Sequence, residues 1–333
     1  MKKKNIAVIG CGDWGKNIAR TLHELEHLAA ICDHHHSRYS ANLSNQYDIP
    51  LLDFDDVLKD PEIEGVIVAT RAETHFEVAL KALKNNKHVL VEKPMVKTMD
   101  EANTLKKLAD ENKKILMVGH LLKYHPAFQE LSRICHSGTI GTLYHIVSSR
   151  KNFGKIYHKD SALWDLGPHD LSMVLQIVQS PVKEVFAVAR NLVFKDLNDI
   201  ATLHLSFENG VTAEINLSRL SPFKEQKISV IGEFGSVLFD DTKEWTCKVT
   251  THKGRVEELD QEHVKTIPDM EGEASILKSE QPLKLELEHF IQCIATNSKP
   301  ATPADEAIEI MKILMAAEES MEKKKPVNLY SKS

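Results

Sequence analysis

The most constraining feature of this 333-residue chain is Gly10-Cys11-Gly12-Asp13-Trp14-Gly15, directly after the apolar run Ile6–Ile9 and directly before a helix-patterned stretch at 15–25. In a strand–loop–helix setting the first glycine of G-x-G-x-x-G permits a tight turn, the second lets backbone approach a pyrophosphate, and the third allows close helix–strand packing. The helix N-terminus then presents free N–H groups and partial positive charge to the phosphates. A second apolar run, 28–32, ends at Asp33, about 20 residues on, where a carboxylate can accept hydrogen bonds from the adenosine ribose. The ordinary reading of such a loop is a glycine turn that binds nothing, and the strand, helix and acidic residue in sequence argue against it. Asp33 would repel a 2′-phosphate, which favours NAD over NADP, although His34, His35, His36 and Arg38 stand beside it. The histidine triplet has a metal reading, but its place at a strand end favours a loop, and no metal site is expected.

Further apolar runs at 65–69, 89–91 and 115–118 alternate with helix patterns at 74–84 and 100–111, the signature of βαβ units and a doubly wound parallel sheet. Beyond residue 123 the texture changes. Helix candidates at 126–135 and 168–178 precede strands at 185–193, 200–207, 211–217, 227–231 and 236–240, which predict an open, mostly antiparallel sheet. Residues 252–280 read as loops, and helices follow near 283–295 and 303–323. The predicted class is therefore α/β. A Rossmann domain at 1–122 is followed by a substrate-binding and oligomerisation domain at 123–333, whose last helix packs back near the first domain.

Five scattered cysteines without a Cys-x-x-Cys suggest neither a disulfide framework nor a zinc ribbon, and fit a reducing, cytoplasmic setting. Lys2-Lys3-Lys4 before Ile6–Ile9 imitates a signal peptide, but four apolar residues fall short of the ~7–15 that such a segment needs. No run approaches the ~18 apolar residues of a membrane span. The net charge of −6 argues against binding long nucleic acid. That charge is uneven. Residues 1–119 carry 17 basic and 18 acidic side chains and residues 160–333 carry 19 and 29, whereas 120–159 set Lys123, Arg133, Arg150, Lys151, Lys155 and Lys159 against Glu130 alone. Such a basic stretch suits an anionic ligand such as a diphosphate, and its ordinary reading is a solvated basic face.

The segments Ala69-Thr70-Arg71-Ala72-Glu73-Thr74-His75, His88-Val89-Leu90-Val91-Glu92-Lys93-Pro94 and Trp164-Asp165-Leu166-Gly167-Pro168-His169 resemble the Gfo/Idh/MocA oxidoreductase family. The last segment looks like its D-x-G-x-H motif, 72 residues after Lys93. The resemblance implies hydride transfer between a nicotinamide cofactor and a sugar, cyclitol or nucleotide sugar. It implies cofactor contacts from Gly10, Gly12, Asp13, Trp14, Gly15, Asp33, Thr70, His75, Glu92 and Lys93. Arg71 and Glu73 depart from the family's Thr-Pro-Asn, which makes a cofactor contact by Glu73 doubtful. It also implies a homodimer or homotetramer built on the open sheet.

Removing hydride from a secondary alcohol requires a group that takes the hydroxyl proton, and a histidine suits that task. His169 is the candidate base. Lys93, at the carboxyl end of a parallel strand, can stabilise charge on the reacting oxygen, and Asp165, one turn before His169 if the segment is helical, can orient the pair. The ordinary readings are a surface ion pair at Glu92-Lys93 and a helix entry with proline at the first position. Proline directly after a strand end predicts a cis Lys93–Pro94 bond.

Within the family, residues 119–126 and 149–155 look most like enzymes oxidising the 3-hydroxyl of UDP-N-acetylglucosamine or its uronic acid. By that resemblance Arg150, Asn152 and Lys155 bind the diphosphate or sugar, and Tyr124 and His125 line the pocket; a helix-entry staple and cap is their ordinary reading. The ketone so made is a substrate for a partner aminotransferase. A dehydrogenase of a neutral cyclitol or free sugar, and a non-catalytic nucleotide-binding regulator, are the alternatives.

Overall fold

The computed structural model describes residues 4–33, 38–153, 161–258, 264–267 and 272–329, and it divides into two compact units. Unit 1 comprises 1–124 and 281–309, and unit 2 comprises 125–280 and 310–333.

In unit 1, strands β1 (Ile6–Ile9), β2 (Leu28–Cys32), β3 (Gly65–Val68), β4 (His88–Glu92) and β5 (Leu116–Gly119) form a parallel sheet in the order β2-β1-β3-β4-β5. The central strands are buried along their length, Ile6–Ile9 and Gly65–Val68 without a break, which is why they read as unbroken apolar runs. Helices α1 (Gly15–Glu24), α2 (Arg38–Tyr47), α3 (Phe54–Lys59), α4 (His75–Lys84) and α5 (Met99–Glu111) connect them. The sequence pattern missed α2 and α3, one of them polar and the other only six residues long. Thr98 and Glu101 close a reciprocal capping box at the start of α5.

The unit is discontinuous in sequence. Helix α8 (Pro282–Thr296) places Leu283, Leu287, Phe290 and Cys293 in one apolar cluster with Ile18 and Leu22 of α1, Ile67 and Leu90. Sequence order had assigned everything beyond 122 to the second domain. The apolar stripe of α8 instead belongs to the first core, together with Tyr124 and the opening turns of α9 (Ala304–Lys323).

Unit 2 is built on a nine-stranded sheet whose strands are β6 (Leu143–Phe153), β7 (Val182–Arg190), β8 (Ile200–Phe207), β9 (Thr212–Ser218), β10 (Leu220–Gly232), β11 (Ser236–Asp240), β12 (Val249–His252), β15 (Glu273–Ala274) and β16 (Val327–Asn328). Their order is β15-β12-β11-β10-β6-β9-β8-β7-β16, and only the β6–β9 pair is parallel. A separate hairpin joins β13 (Arg255–Glu258) to β14 (Val264–Ile267), so the region read as loops contains strands. Alternation places Ala201, Leu203, Leu205, Ala213, Ile215 and Leu217 on the buried face, which is packed by α7 (Ala162–Val178); α6 (Pro126–His136) packs on α7, β11 and β12.

Strand β6 escaped the sequence reading because its inward positions include Ser148 and Arg150 beside Ile146. Helix α7 begins at Ala162 rather than Pro168, because the Ser161 hydroxyl caps the Trp164 amide and Pro168 then lies inside the helix. Among the described residues no helix is long and apolar enough to cross a membrane, and the five cysteines are free thiols.

Candidate active site

The carboxyl edge of the unit 1 sheet gathers the expected cofactor residues. Gly10 has φ +95°, and a Cβ there would lie 2.8 Å from the Ala69 carbonyl at the end of β3; a Cβ on Gly15 would lie 2.0 Å from the Gly10 carbonyl. Those two glycines are demanded by the loop itself. Gly12 differs, since a Cβ there meets nothing within 4 Å, so its smallness serves something that approaches from outside. No acidic side chain stands in the first turn of α1 and no side chain caps it, so the partial positive charge of that helix end is not offset by a side chain. The residues fit a dinucleotide. Gly12→Val should therefore melt like the wild type but bind NAD+ on the order of 100-fold more weakly in calorimetry, equivalent to ~2.7 kcal/mol, whereas Gly15→Ala should lose the loop and the fold of unit 1.

Asp33 follows β2 at the same edge, half-buried. Cys11 and Cys32 nearby have thiols pushed up to about 12, first by burial and then by neighbouring carboxylates, so both stay neutral. Glu92 and Lys93 end β4, the Lys93–Pro94 peptide is cis as its sequence predicts, and Thr70 ends the turn after β3. Trp14 donates its indole N–H to Glu92 Oε1 at 2.6 Å, linking the glycine loop to the end of β4. The structure thus brings Gly10, Gly12, Asp13, Trp14, Gly15, Thr70, Glu92 and Lys93 to one edge.

His75 requires a correction. It is 1 % exposed, its Nδ1 faces the Pro94 carbonyl at 2.8 Å, and its Nε2 faces the Thr70 carbonyl at 3.2 Å. Burial holds its pKa below the usual histidine range, so it is neutral and donates one of these bonds at a time. No ring nitrogen is left for a cofactor, and His75 instead ties the Thr70 turn to Pro94. Glu73 forms an ion pair with Lys97 at 3.2 Å.

In unit 2, Asp165 and His169 stand four positions apart on α7, on one helix face and both half-buried. Gly167 between them is closely packed, since a Cβ there would lie 3.2 Å from Leu314 Cδ2.

The expected substrate residues fare differently. Tyr124 is buried in the core of unit 1, where its hydroxyl faces Thr302 Oγ1 at 3.3 Å and its ring packs on His289. His125 caps α6 by accepting from the Ala127 amide, stacks on Trp245, and faces Asp241 at 3.2 Å through Nε2. Tyr124 is thus held in the first core, and His125 is the helix cap of its ordinary reading. Despite burial, hydrogen bonds from His125 and Lys248 hold Asp241 at about 2. Because that pKa is depressed, the stabilisation is full above the ordinary carboxylate pKa of about 4 and is lost as pH falls toward 2. His125→Ala should cost ~1–2 kcal/mol in urea unfolding at pH 7, with a smaller difference at pH 3.

Arg150 is buried, and its Nε donates to Asp170 Oδ2 at 2.5 Å while Ser148 donates to Asp170 Oδ1. Its charge is matched inside the unit. The basic stretch dissolves in the same way: Lys123 pairs with Glu306, Arg133 with Glu130, and Lys151 with Glu225. Every cation of that stretch among the described residues has a carboxylate partner, three of them supplied from distant sequence. Asn152 is half-buried on β6, and Lys155 and Lys159 lie outside the described residues, as do His34, His35 and His36.

Asp170 and Glu286 were missed. Both sit on otherwise apolar helical faces, at Leu163-Gly167-Asp170-Leu171-Val174 and Leu283-Glu286-Leu287-Phe290, and a carboxylate in such a stripe is the signal that could have found them.

A family model described as "Oxidoreductase family, NAD-binding Rossmann fold" matches residues 4–120, and one described as "GFO/IDH/MocA C-terminal domain" matches 128–238. The chain belongs to the GFO/IDH/MocA oxidoreductase family. Members of that family are NAD-binding oxidoreductases, and so is this chain. It is 28% identical over 293 residues to UDP-N-acetylglucosamine 3-dehydrogenase of Acidithiobacillus ferrooxidans, covering 87% of this chain and 88% of that relative. It is 25% identical over 285 residues to scyllo-inositol 2-dehydrogenase (NAD(+)) of Bacillus subtilis, covering 82% and 80%. Among solved structures, the Acidithiobacillus UDP-N-acetylglucosamine 3-dehydrogenase GnnA shares the fold, with a TM-score of 0.84, 23% identity, and coverage of 97% of this chain and 99% of that one.

Proposed function

We propose that this oxidoreductase oxidises the 3-hydroxyl of a UDP-N-acetylhexosamine to a 3-keto sugar, with His169 as the base. The observation that carries the chemistry is the one-turn spacing of Asp165 and His169 on α7, which sets a carboxylate beside an imidazole on one face. Asp165 favours the protonated imidazole as His169 takes the hydroxyl proton. Lys93, at the carboxyl end of β4, places an ammonium for the reacting oxygen and lowers the cost of the alkoxide character that develops there. NAD+, when bound, supplies the hydride acceptor. Gly10, Gly12 and Gly15 with the N-terminus of α1 would hold its pyrophosphate, and Asp33 its adenosine ribose.

The nucleotide-sugar substrate is supported by the 28% identical relative and by the family resemblance of residues 119–126 and 149–155. A neutral cyclitol is the second reading, favoured by a specific observation: Lys123, Arg133, Arg150 and Lys151 each have a carboxylate partner, which offsets the charge that would attract a diphosphate to them. A homo-oligomer formed on the open face of the nine-stranded sheet, and supply of the ketone to an aminotransferase, belong to the same proposal. Offering UDP-N-acetylglucosamine and myo-inositol separately with NAD+ tests it. Reduction with the nucleotide sugar is expected, and reduction with inositol alone would transfer the reading to the cyclitol.

A further inference from the structure

Helix α7 is interrupted at the point where it carries the candidate base. Gly167-Pro168 stand directly before His169: Pro168 has no N–H to give the Trp164 carbonyl one turn back, and glycine is a poor helix former. The backbone ladder is therefore weakened between Asp165 and His169, the two side chains whose spacing the chemistry uses.

Polar anchors stand on both sides of that break. Before it, the Ser161 hydroxyl caps the Trp164 amide, and the Trp164 indole N–H donates to Glu318 of α9 at 2.7 Å. After it, Asp170 is 1 % exposed and its carboxylate is held by β6 through both oxygens: Ser148 Oγ donates to Oδ1 and Arg150 Nε to Oδ2, each at 2.5 Å. The buried Ser172 hydroxyl donates back to the His169 carbonyl at 2.9 Å. All of these residues belong to unit 2.

Stability alone does not account for the anchor at Asp170. The position belongs to the apolar stripe of α7 with Leu163, Leu171 and Val174, and a buried ion pair is often no more stabilising than apolar side chains in its place. What the pair adds is geometry. Bonds from two successive inward positions of one strand to the two oxygens of one carboxylate fix the rotation of α7 about its axis and its slide along β6. Apolar packing of the right volume tolerates small shifts in both. His169 is the preceding residue, so the same bonds fix where its side chain leaves the helix.

We propose that Asp170, clamped by Arg150 and Ser148, is a positioning residue: it fixes the turn of α7 that carries His169 and compensates the break at Gly167-Pro168. The inference rests on His169 as the base.

The test is a variant that keeps the stability and loses the clamp. Arg150→Met with Asp170→Leu replaces both partners by apolar groups and should unfold in urea near the wild-type midpoint. Its kcat should nonetheless fall ~10–100-fold with KM nearly unchanged, the behaviour of a displaced catalytic group. Amides of residues 165–172 should exchange with deuterium ~10-fold faster than in the wild type, while the sheet of unit 2 keeps its protection. Ser148→Ala, which leaves the ion pair in place, should shift both readouts in the same direction by about threefold. The proposal is overturned by a double variant that folds with wild-type kcat or with wild-type exchange in α7, and, where that variant does not fold, by wild-type exchange in Ser148→Ala. Exchange needs no substrate, so a wild type that oxidises none of the alcohols offered would unseat His169 as base while the exchange comparison still decides the clamp.

Discussion

Replacing His169 with Ala should lower kcat by ~10²–10⁴-fold, the span that a positioned general base contributes, while leaving the Kd for NAD+ within about twofold. The argument is local. His169 stands on α7 in unit 2, four positions after Asp165 and next to Asp170, whereas the dinucleotide residues stand in unit 1. Its neighbour Asp170 is occupied by Arg150 and Ser148, so it cannot substitute as base. Asp165→Asn should produce a smaller loss in kcat, because it removes the orienting charge and retains the base. Stopped-flow NADH formation at saturating substrate separates the chemical step from release, and a His169→Ala enzyme with undiminished burst rate would remove His169 from the mechanism.

The second large effect concerns stability. Arg150→Met leaves Asp170, 1 % exposed, with a serine hydroxyl as its remaining partner, and should destabilise unit 2 by ~3–5 kcal/mol, the cost of an uncompensated buried charge. The double variant Arg150→Met with Asp170→Leu should recover most of that loss, because replacing both members of a buried pair with apolar groups is often nearly neutral. Urea denaturation midpoints of the four proteins complete the cycle. If Arg150 instead bound the substrate's phosphates, the single variant would unfold at the wild-type midpoint and raise KM alone.

These residues also show what was legible in the sequence. The parallel sheet was readable because strands buried on both faces must be continuously apolar, and the glycine loop because its backbone geometry excludes side chains at Gly10 and Gly15. Lys93 and His169 were singled out through local motifs, and the structure places them at the end of β4 and on α7. What escaped depends on partners distant in sequence. The basic stretch looked available for an anion because Glu306, Asp170 and Glu225 come from elsewhere in the chain. Tyr124 and His125 looked like pocket residues because Thr302 and Asp241, which hold them, are more than a hundred positions away. Strand β6 was hidden by its polar inward face, whereas α8 was read as a helix and only its place in the first core escaped, because its partners Ile18, Leu22 and Leu90 lie far away in sequence.

The central claim is hydride removal from a ring carbon of a nucleotide sugar. Its most direct test is incubation of the enzyme with NAD+ and UDP-N-acetylglucosamine carrying deuterium at C3, followed by mass analysis of the reduced cofactor. The account predicts NADH that carries the deuterium and a 3-keto product. Unlabelled NADH, or a protein that binds NAD+ and leaves the labelled sugar unchanged, would contradict it.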